Sequence, residues 1–218
     1  MSKLFLTSAG LSGSVGKDFL LLLGKNPSDV AVAFIATAAH PEPDKSYVDR
    51  TRNEIREIGM KMFDVDLVEE NENSLRDKLS SADIIYVNGG NTFYLLKHVR
   101  RSGFDKVVKN LIKQGKIYLG VSAGSYIACP TIEAATWKHQ DRNRVGMTDF
   151  EALNLVPFLI SAHYTEKYRL IIEEAVKKTK YSVVALNDEQ AVLCVDDDYK
   201  IVGNGEKLTY NNFQLASK

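Results

Sequence analysis

Short apolar runs alternate with longer stretches of helical periodicity through the first two thirds of the chain. Residues 3–9 read as a strand and residues 18–24 as part of a helix. Residues 30–37 (VAVAFIAT) read as a fully buried strand. Residues 46–58 form an amphipathic pattern, with Val48, Ile55 and Ile58 on one side and charges elsewhere. Residues 61–67 suggest a third strand, and Leu75 and Leu79 mark a short helix. The strand 83–87 (DIIYV) is followed by helical patterns over 91–101 and 104–114, the strand 116–121 (KIYLGV), and a helix after Gly124. Strands separated by helices of about ten residues predict βαβ units, a parallel sheet covered on both faces, and right-handed connections. The last third differs. Residues 158–162, 182–186, 191–195 and 200–202 read as short strands, with one strong helix over 166–178. Asp196-Asp197-Asp198 reads as a hairpin turn. This part is expected to extend the same sheet and to end in an antiparallel hairpin at one edge. No linker rich in Gly, Ser or Pro interrupts the chain, so residues 1–218 are expected to form one domain.

Composition narrows the class. Hydrophobic residues make up 44% of the 218 positions and charged residues 26%, which supports a core and excludes a disordered or collagen-like chain. Lys+Arg and Asp+Glu are both 28, so the net charge is zero, which argues against a nucleic-acid partner. The basic clusters 97–101 and 177–180 fall at expected helix ends, where they favour the helix dipole. Cys129 and Cys194 have no metal-ligand spacing. The first residues, MSKLFL, are too short an apolar run for a signal peptide, and no stretch reaches the ~20 residues of a membrane span. The expectation is a reduced, cytoplasmic protein without a metal or cofactor, with neither membrane nor nucleic acid among its partners.

The most specific chemical signal is Gly120-Val121-Ser122-Ala123-Gly124, between an apolar strand and a helix. This is the G-x-S-x-G nucleophile elbow in its strand–turn–helix setting. The turn lifts the Ser122 hydroxyl above the carboxyl end of the sheet, at a helix N-terminus that favours developing negative charge. The alternative is a βα turn that happens to hold small residues. A second loop, Asn88-Gly89-Gly90-Asn91-Thr92, also ends a strand and opens a helix. It could donate one N–H to an oxyanion, with Ala123 N–H as the other, or simply be a turn with Asn91 or Thr92 as helix N-cap. Of the four histidines, His98 is expected mid-helix and solvated, and His40 and His139 lie in polar loops. His163 follows the strand 158–162, so it emerges at a carboxyl end and is the candidate base. Asp188 and Glu189, between two apolar strands, are candidates to orient it; Glu133, Asp141 and Asp149 have no better claim from spacing. The run 10–16 (GLSGSVG) hints at a phosphate loop. It fails the G-x-G-x-x-G spacing, and no acidic residue ends the second strand.

Several of these segments together resemble the dipeptidase E family, peptidase family S51, the α-aspartyl dipeptidases. They are the elbow with Ala128-Cys129-Pro130-Thr131-Ile132, the loop Asn88-Gly89-Gly90-Asn91-Thr92-Phe93 with Leu95-Leu96, the segment 150–157 (FEALNLVP), and Ala162-His163-Tyr164-Thr165. The likeness spans residues 83–195 and, more loosely, the N-terminal strands. It implies a flavodoxin-like α/β sheet related to class I glutamine amidotransferases, and no metal. It also implies Ser122 as nucleophile, His163 as base, Gly90 and Ala123 as oxyanion donors, and Asp188 as the acid. Some relatives carry an aspartate in the loop after the elbow; the matching position here is Trp137, which cannot serve and so gives Asp188 more weight. The family's specificity arginine lies beyond the histidine after an extended loop, and that loop is nearly absent here. Asn91, Lys167 and Arg169 are the candidate substrate-binding residues, and aspartyl substrates are expected to be favoured weakly if at all. Arg169 could equally be a solvated helix residue.

The resulting expectation is a serine peptidase acting on short peptides as monomer or homodimer. Its rivals are another acyl hydrolase on the same scaffold, cyanophycinase-like or an esterase, and a binding protein without turnover.

Overall fold

The computed structural model describes residues 1–11 and 13–213. The elements are, in chain order, β1 (Lys3–Thr7), α1 (Gly13–Leu23), β2 (Ala31–Ile35), α2 (Ser46–Glu57), β3 (Lys61–Asp64), α3 (Glu72–Ser80), β4 (Ile84–Val87), α4 (Thr92–Ser102), α5 (Phe104–Lys113) and β5 (Ile117–Val121). Then follow α6 (Ala123–Ala128), α7 (Ala134–Trp137), β6 (Leu159–Ser161), α8 (Arg169–Val176), β7 (Val183–Ala185), β8 (Gln190–Val195), β9 (Asp198–Gly203) and β10 (Leu208–Tyr210).

β1 to β5, with β8 and β9, form a seven-stranded sheet in the order β3-β2-β4-β5-β1-β8-β9. The first five strands of that order run parallel; β8 is antiparallel to β1, and β9 to β8. Side chains alternate across each strand, which sorts the apolar residues into two cores. Phe5, Phe34, Tyr86 and Leu119 face one core, with Phe19 of α1 and Ile55 of α2. Leu4, Leu6, Ile35, Val87 and Tyr118 face the other, with residues of α3 to α6. The predicted α/β architecture and its C-terminal antiparallel hairpin are both present.

The last third departs from expectation. The strands near 158–162 and 182–186 do not extend the large sheet. They are β6 and β7, which pair in parallel and, with β10 antiparallel to β7, make a separate sheet in the order β10-β7-β6. Three-residue apolar strands carry no signal for which edge they join. The third strand stops at Asp64, with Val65 and Leu67 buried beyond it. The last helix opens as a 3-10 turn, Glu166–Tyr168, and α8 ends at Val176. Neither α7 nor β10 was visible in the periodicity. His98 is not solvated: it is 4% exposed, packed on Tyr94 with ring centroids 4.5 Å apart. Ser12, within the glycine-rich run after β1, lies outside the described residues.

Candidate active site

The register of the large sheet brings three strand ends together. Thr7 of β1 is level with Val121 of β5, and Val87 of β4 with Gly120. Ser8, Ser122 and the Asn88–Gly90 loop therefore leave adjacent parallel strands at one carboxyl edge, where open α/β sheets bind ligands. In the smaller sheet, Ser161 of β6 is level with Ala185 of β7, and Tyr164 N–H donates to Leu186 O at 2.8 Å. This delivers His163 and Asp188 to the same edge.

The turn at Ser122 is strained, with φ 50° and ψ −106°. Neighbouring groups hold it: Ser122 N–H donates to Thr7 O at 3.0 Å, Tyr118 Oη donates to Gly124 O at 2.7 Å, and Ser125 Oγ lies 2.8 Å from both Thr7 O and Gly120 O. The two elbow glycines have a steric reason. A Cβ on Gly124 would stand 2.0 Å from Val87 O, and one on Gly120 would stand 2.6 Å from Gly124 O. Gly90, at φ +135°, passes so close to the 3-10 turn Thr37–Ala39 that a Cβ would lie 2.3 Å from Ala38 O.

Ser122 Oγ lies 2.9 Å from His163 Nε2, and His163 Nδ1 lies 2.6 Å from Asp188 Oδ1. With a carboxylate accepting at Nδ1, the proton resides there, and Nε2 presents its lone pair to the serine. The hydrogen bond from His163, with help from Ser8 and Lys138, outweighs burial and holds the Asp188 carboxyl below its usual range. Ser8 Oγ donates to Asp188 Oδ1 at 2.8 Å and accepts the His163 backbone N–H at 2.7 Å. Among the described residues, the N–H groups of Gly90 and Ala123 donate to no protein acceptor.

Ser8, Gly90, Ser122 and His163 line a cavity of about 440 Å³ that also includes Tyr47, Arg50, Thr51 and Glu54 of α2, with Glu42 and Asp141. Tyr47, Arg50, Thr51 and Glu54 recur at helical spacing, so one face of α2 forms a wall. Asp141 accepts from Thr92 N–H at 3.1 Å, and burial raises its carboxyl pKa above the usual value. Burial likewise raises that of Glu54.

The structure brings together Ser122, His163 and Asp188, with Gly90 on the cavity wall and Ala123 opening α6. It does not bring the three substrate-binding candidates to the cavity. Asn91 caps α4, accepting Tyr94 N–H at 2.9 Å and donating to Arg142 O at 3.0 Å. Lys167 lies over the Tyr168 ring, 4.7 Å from its centroid. Arg169 is held by Glu166 at 2.6 and 3.1 Å and faces Glu206 at 3.5 Å. Trp137 lines a separate apolar groove with Leu170 and Ile171. Ser8 and the α2 face escaped sequence reading, and Asp141, one of three carboxylates with no claim from spacing to orient His163, lines the cavity instead. Only the polar pair Thr7-Ser8, at the end of an apolar strand, offered a signal.

A strained serine aimed at an imidazole above a parallel sheet defines the class as a serine-type hydrolase. The model of peptidase family S51 matches residues 4–202, so the chain belongs to that family and is a peptidase. It is 34% identical over 212 residues to an uncharacterized peptidase of Pasteurella multocida, covering 95% of this chain and 100% of that one. It is 31% identical to peptidase E of Salmonella typhi over 167 residues, which is 76% of this chain and 69% of that one. A crystal structure assigned as peptidase E from Listeria monocytogenes superposes with a TM-score of 0.81 at 28% identity, covering 94% of this chain and all of that one. A peptidase from an acI-B1 actinobacterium shares the fold at TM-score 0.71 and 14% identity, covering 100% and 96% of the two chains. Among the described residues, no helix is long and apolar enough to cross a membrane.

Proposed function

We propose that the chain hydrolyses short peptides through Ser122, His163 and Asp188. Ser122 Oγ attacks the scissile carbonyl while His163 Nε2 takes its proton. The N–H groups of Gly90 and Ala123 receive the oxyanion, each worth roughly 3–4 kcal/mol by comparison with other hydrolases. His163 then protonates the leaving amine, and water repeats the sequence on the acyl-enzyme. Asp188 keeps the imidazole in the needed tautomer. The contact between Ser122 Oγ and His163 Nε2 at 2.9 Å carries this reading.

The preference for an N-terminal aspartate is weak in this reading. A substrate carboxylate calls for a cation, best a bidentate arginine. Arg169 is engaged by Glu166, and the cavity offers three carboxylates, of Glu42, Glu54 and Asp141, against the exposed Arg50. Half-buried carboxylates are screened less than an exposed guanidinium, so the field opposes an acidic side chain.

The test is fluorophosphonate labelling of Ser122 combined with kcat/KM for Ala-Leu, Leu-Leu and Asp-Leu, and with simple esters as a control. Labelling at Ser122 and turnover of Ala-Leu or Leu-Leu are expected. Folded protein that resists labelling contradicts the nucleophile. Ester turnover with no peptide turnover contradicts the substrate class. A preference for Asp-Leu of ~100-fold, about 2.7 kcal/mol of transition-state discrimination, contradicts the specificity.

A further inference from the structure

Lys138, just after α7, is 7% exposed. Its ammonium donates to the carbonyl oxygen of Ala162 and stands 5.5 Å from the centroid of the Tyr168 ring. Among the described residues it forms no ion pair. A buried ammonium held only by a carbonyl and a ring is unusual, because lysine rarely gives up hydration without a counter-charge.

The carbonyl it holds belongs to the peptide bond that joins Ala162 to His163. That segment is clamped from four directions. Ala162 N–H donates to Tyr126 Oη of α6 at 3.2 Å, and Ala162 O accepts from Lys138. His163 N–H donates to Ser8 Oγ, and Tyr164 N–H donates to Leu186 O. The clamps matter because His163 adopts φ 55°, a left-handed conformation that a non-glycine residue holds only when its surroundings impose it. Among these contacts, Lys138 supplies the charged donor, and hydrogen bonds from charged donors are the stronger kind.

We propose that Lys138 is a positioning residue for the peptidase reaction: its ammonium fixes the Ala162–His163 peptide and balances the carboxylates that flank the imidazole. This rests on the reading of His163 as the base. The charged and titratable groups around Lys138 come from every side: Asp188 from the turn before β8, Asp141 from the loop after α7, Tyr168 from the turn before α8 with Lys167 over the same ring, and Tyr126 from α6. Burial pushes the Lys138 ammonium down to about 8, against the upward pull of Asp188 and then Asp141. One consequence follows. Above about pH 8 the neutral amine grips Ala162 O more weakly.

The experiment measures the second-order rate of fluorophosphonate labelling of Ser122, and kcat/KM for Ala-Leu, from pH 5 to 10. The proteins are the wild type and the Lys138→Gln, Lys138→Met and Lys138→Arg variants, each normalised to its labelled sites. The wild type should show a plateau that bends downward near pH 8. Lys138→Met should lower the plateau about tenfold and lose the bend. Lys138→Gln, which keeps a donor without the charge, should lose the bend with a smaller fall in plateau. Lys138→Arg should keep the plateau and lose the bend. A purely structural role would lower the number of labelled sites and leave the rate per labelled site and the bend in place. Gln and Met profiles that superimpose on the wild type overturn the proposal, as does a bend near pH 8 that survives in Lys138→Arg. A folded wild type that does not label overturns the peptidase reading itself, and this assignment with it.

Discussion

The Ser8 hydroxyl accepts from the His163 backbone and donates to Asp188, so one side chain after β1 aligns two residues delivered by the smaller sheet. Replacing it with alanine removes two hydrogen bonds at about 1 kcal/mol each. Ser8→Ala is expected to lower kcat about tenfold to thirtyfold and to lower Tm by roughly 4–8 °C, as steady-state kinetics and calorimetry would show. Asp188→Asn should lower kcat by roughly two to four orders of magnitude, because the amide no longer selects the right tautomer. Glu189→Gln should change it less than about threefold, since Glu189 is exposed and His163 Nδ1 is engaged by Asp188. If the Glu189 variant is the damaged one, the acid has been misassigned. Lys138 gives a stability prediction of its own. Its folded pKa lies below the unfolded value, so between about pH 8 and 10 the folded state has shed a proton that the unfolded chain keeps. Stability of the wild type relative to Lys138→Met should therefore rise across that window in chemical denaturation; a flat difference would contradict it. At this scale Ser122, His163 and Asp188 were legible because each follows an apolar strand, so sequence position implied a shared edge. Ser8 and Lys138 were not. A serine after a strand is commonplace, and nothing in the order Trp137-Lys138-His139 announces that the lysine turns inward.

Among the elements, the elbow between β5 and α6 depends on close backbone packing as much as on its serine. Gly124→Ala would drive a methyl group into Val87 O, 2.0 Å from the Cβ position. A cost of about 3 kcal/mol or more is expected, lowering Tm by ~6 °C or more and abolishing turnover, since β4 and α6 must separate. Gly115→Ala is the control. Gly115 has φ +91° but no atom within 4 Å of its Cβ position, so only backbone strain of about 1 kcal/mol applies. Equal losses for the two variants, measured by calorimetry, would contradict the packing argument. The motif thus encoded its own geometry. The strands 158–162 and 182–186 were legible as strands for the same reason as β4, a run of buried apolar residues. Their pairing was not, because a run of three buried residues is satisfied by any sheet with both faces covered.

For the whole molecule, the proposed site joins two sheets of unequal support. β5 is buried along its length and paired on both sides, by β4 and β1. β10 is a three-residue edge strand, partly exposed and, among the described residues, paired only with β7, whose end leads to Asp188. Amide hydrogen exchange should find the β5 amides opening only with global unfolding and the β10 amides opening much earlier; equal protection would contradict this division. The central claim, that Ser122 is the nucleophile of a peptidase, is tested most directly by dipeptide turnover of purified Ser122→Ala beside the wild type. The serine is only partly buried and its loss disturbs little packing, so the variant should keep the wild-type Tm and circular dichroism while hydrolysis of Ala-Leu falls by a factor of about 10³ or more. A folded Ser122→Ala protein that retains more than a small fraction of wild-type hydrolysis would contradict the account.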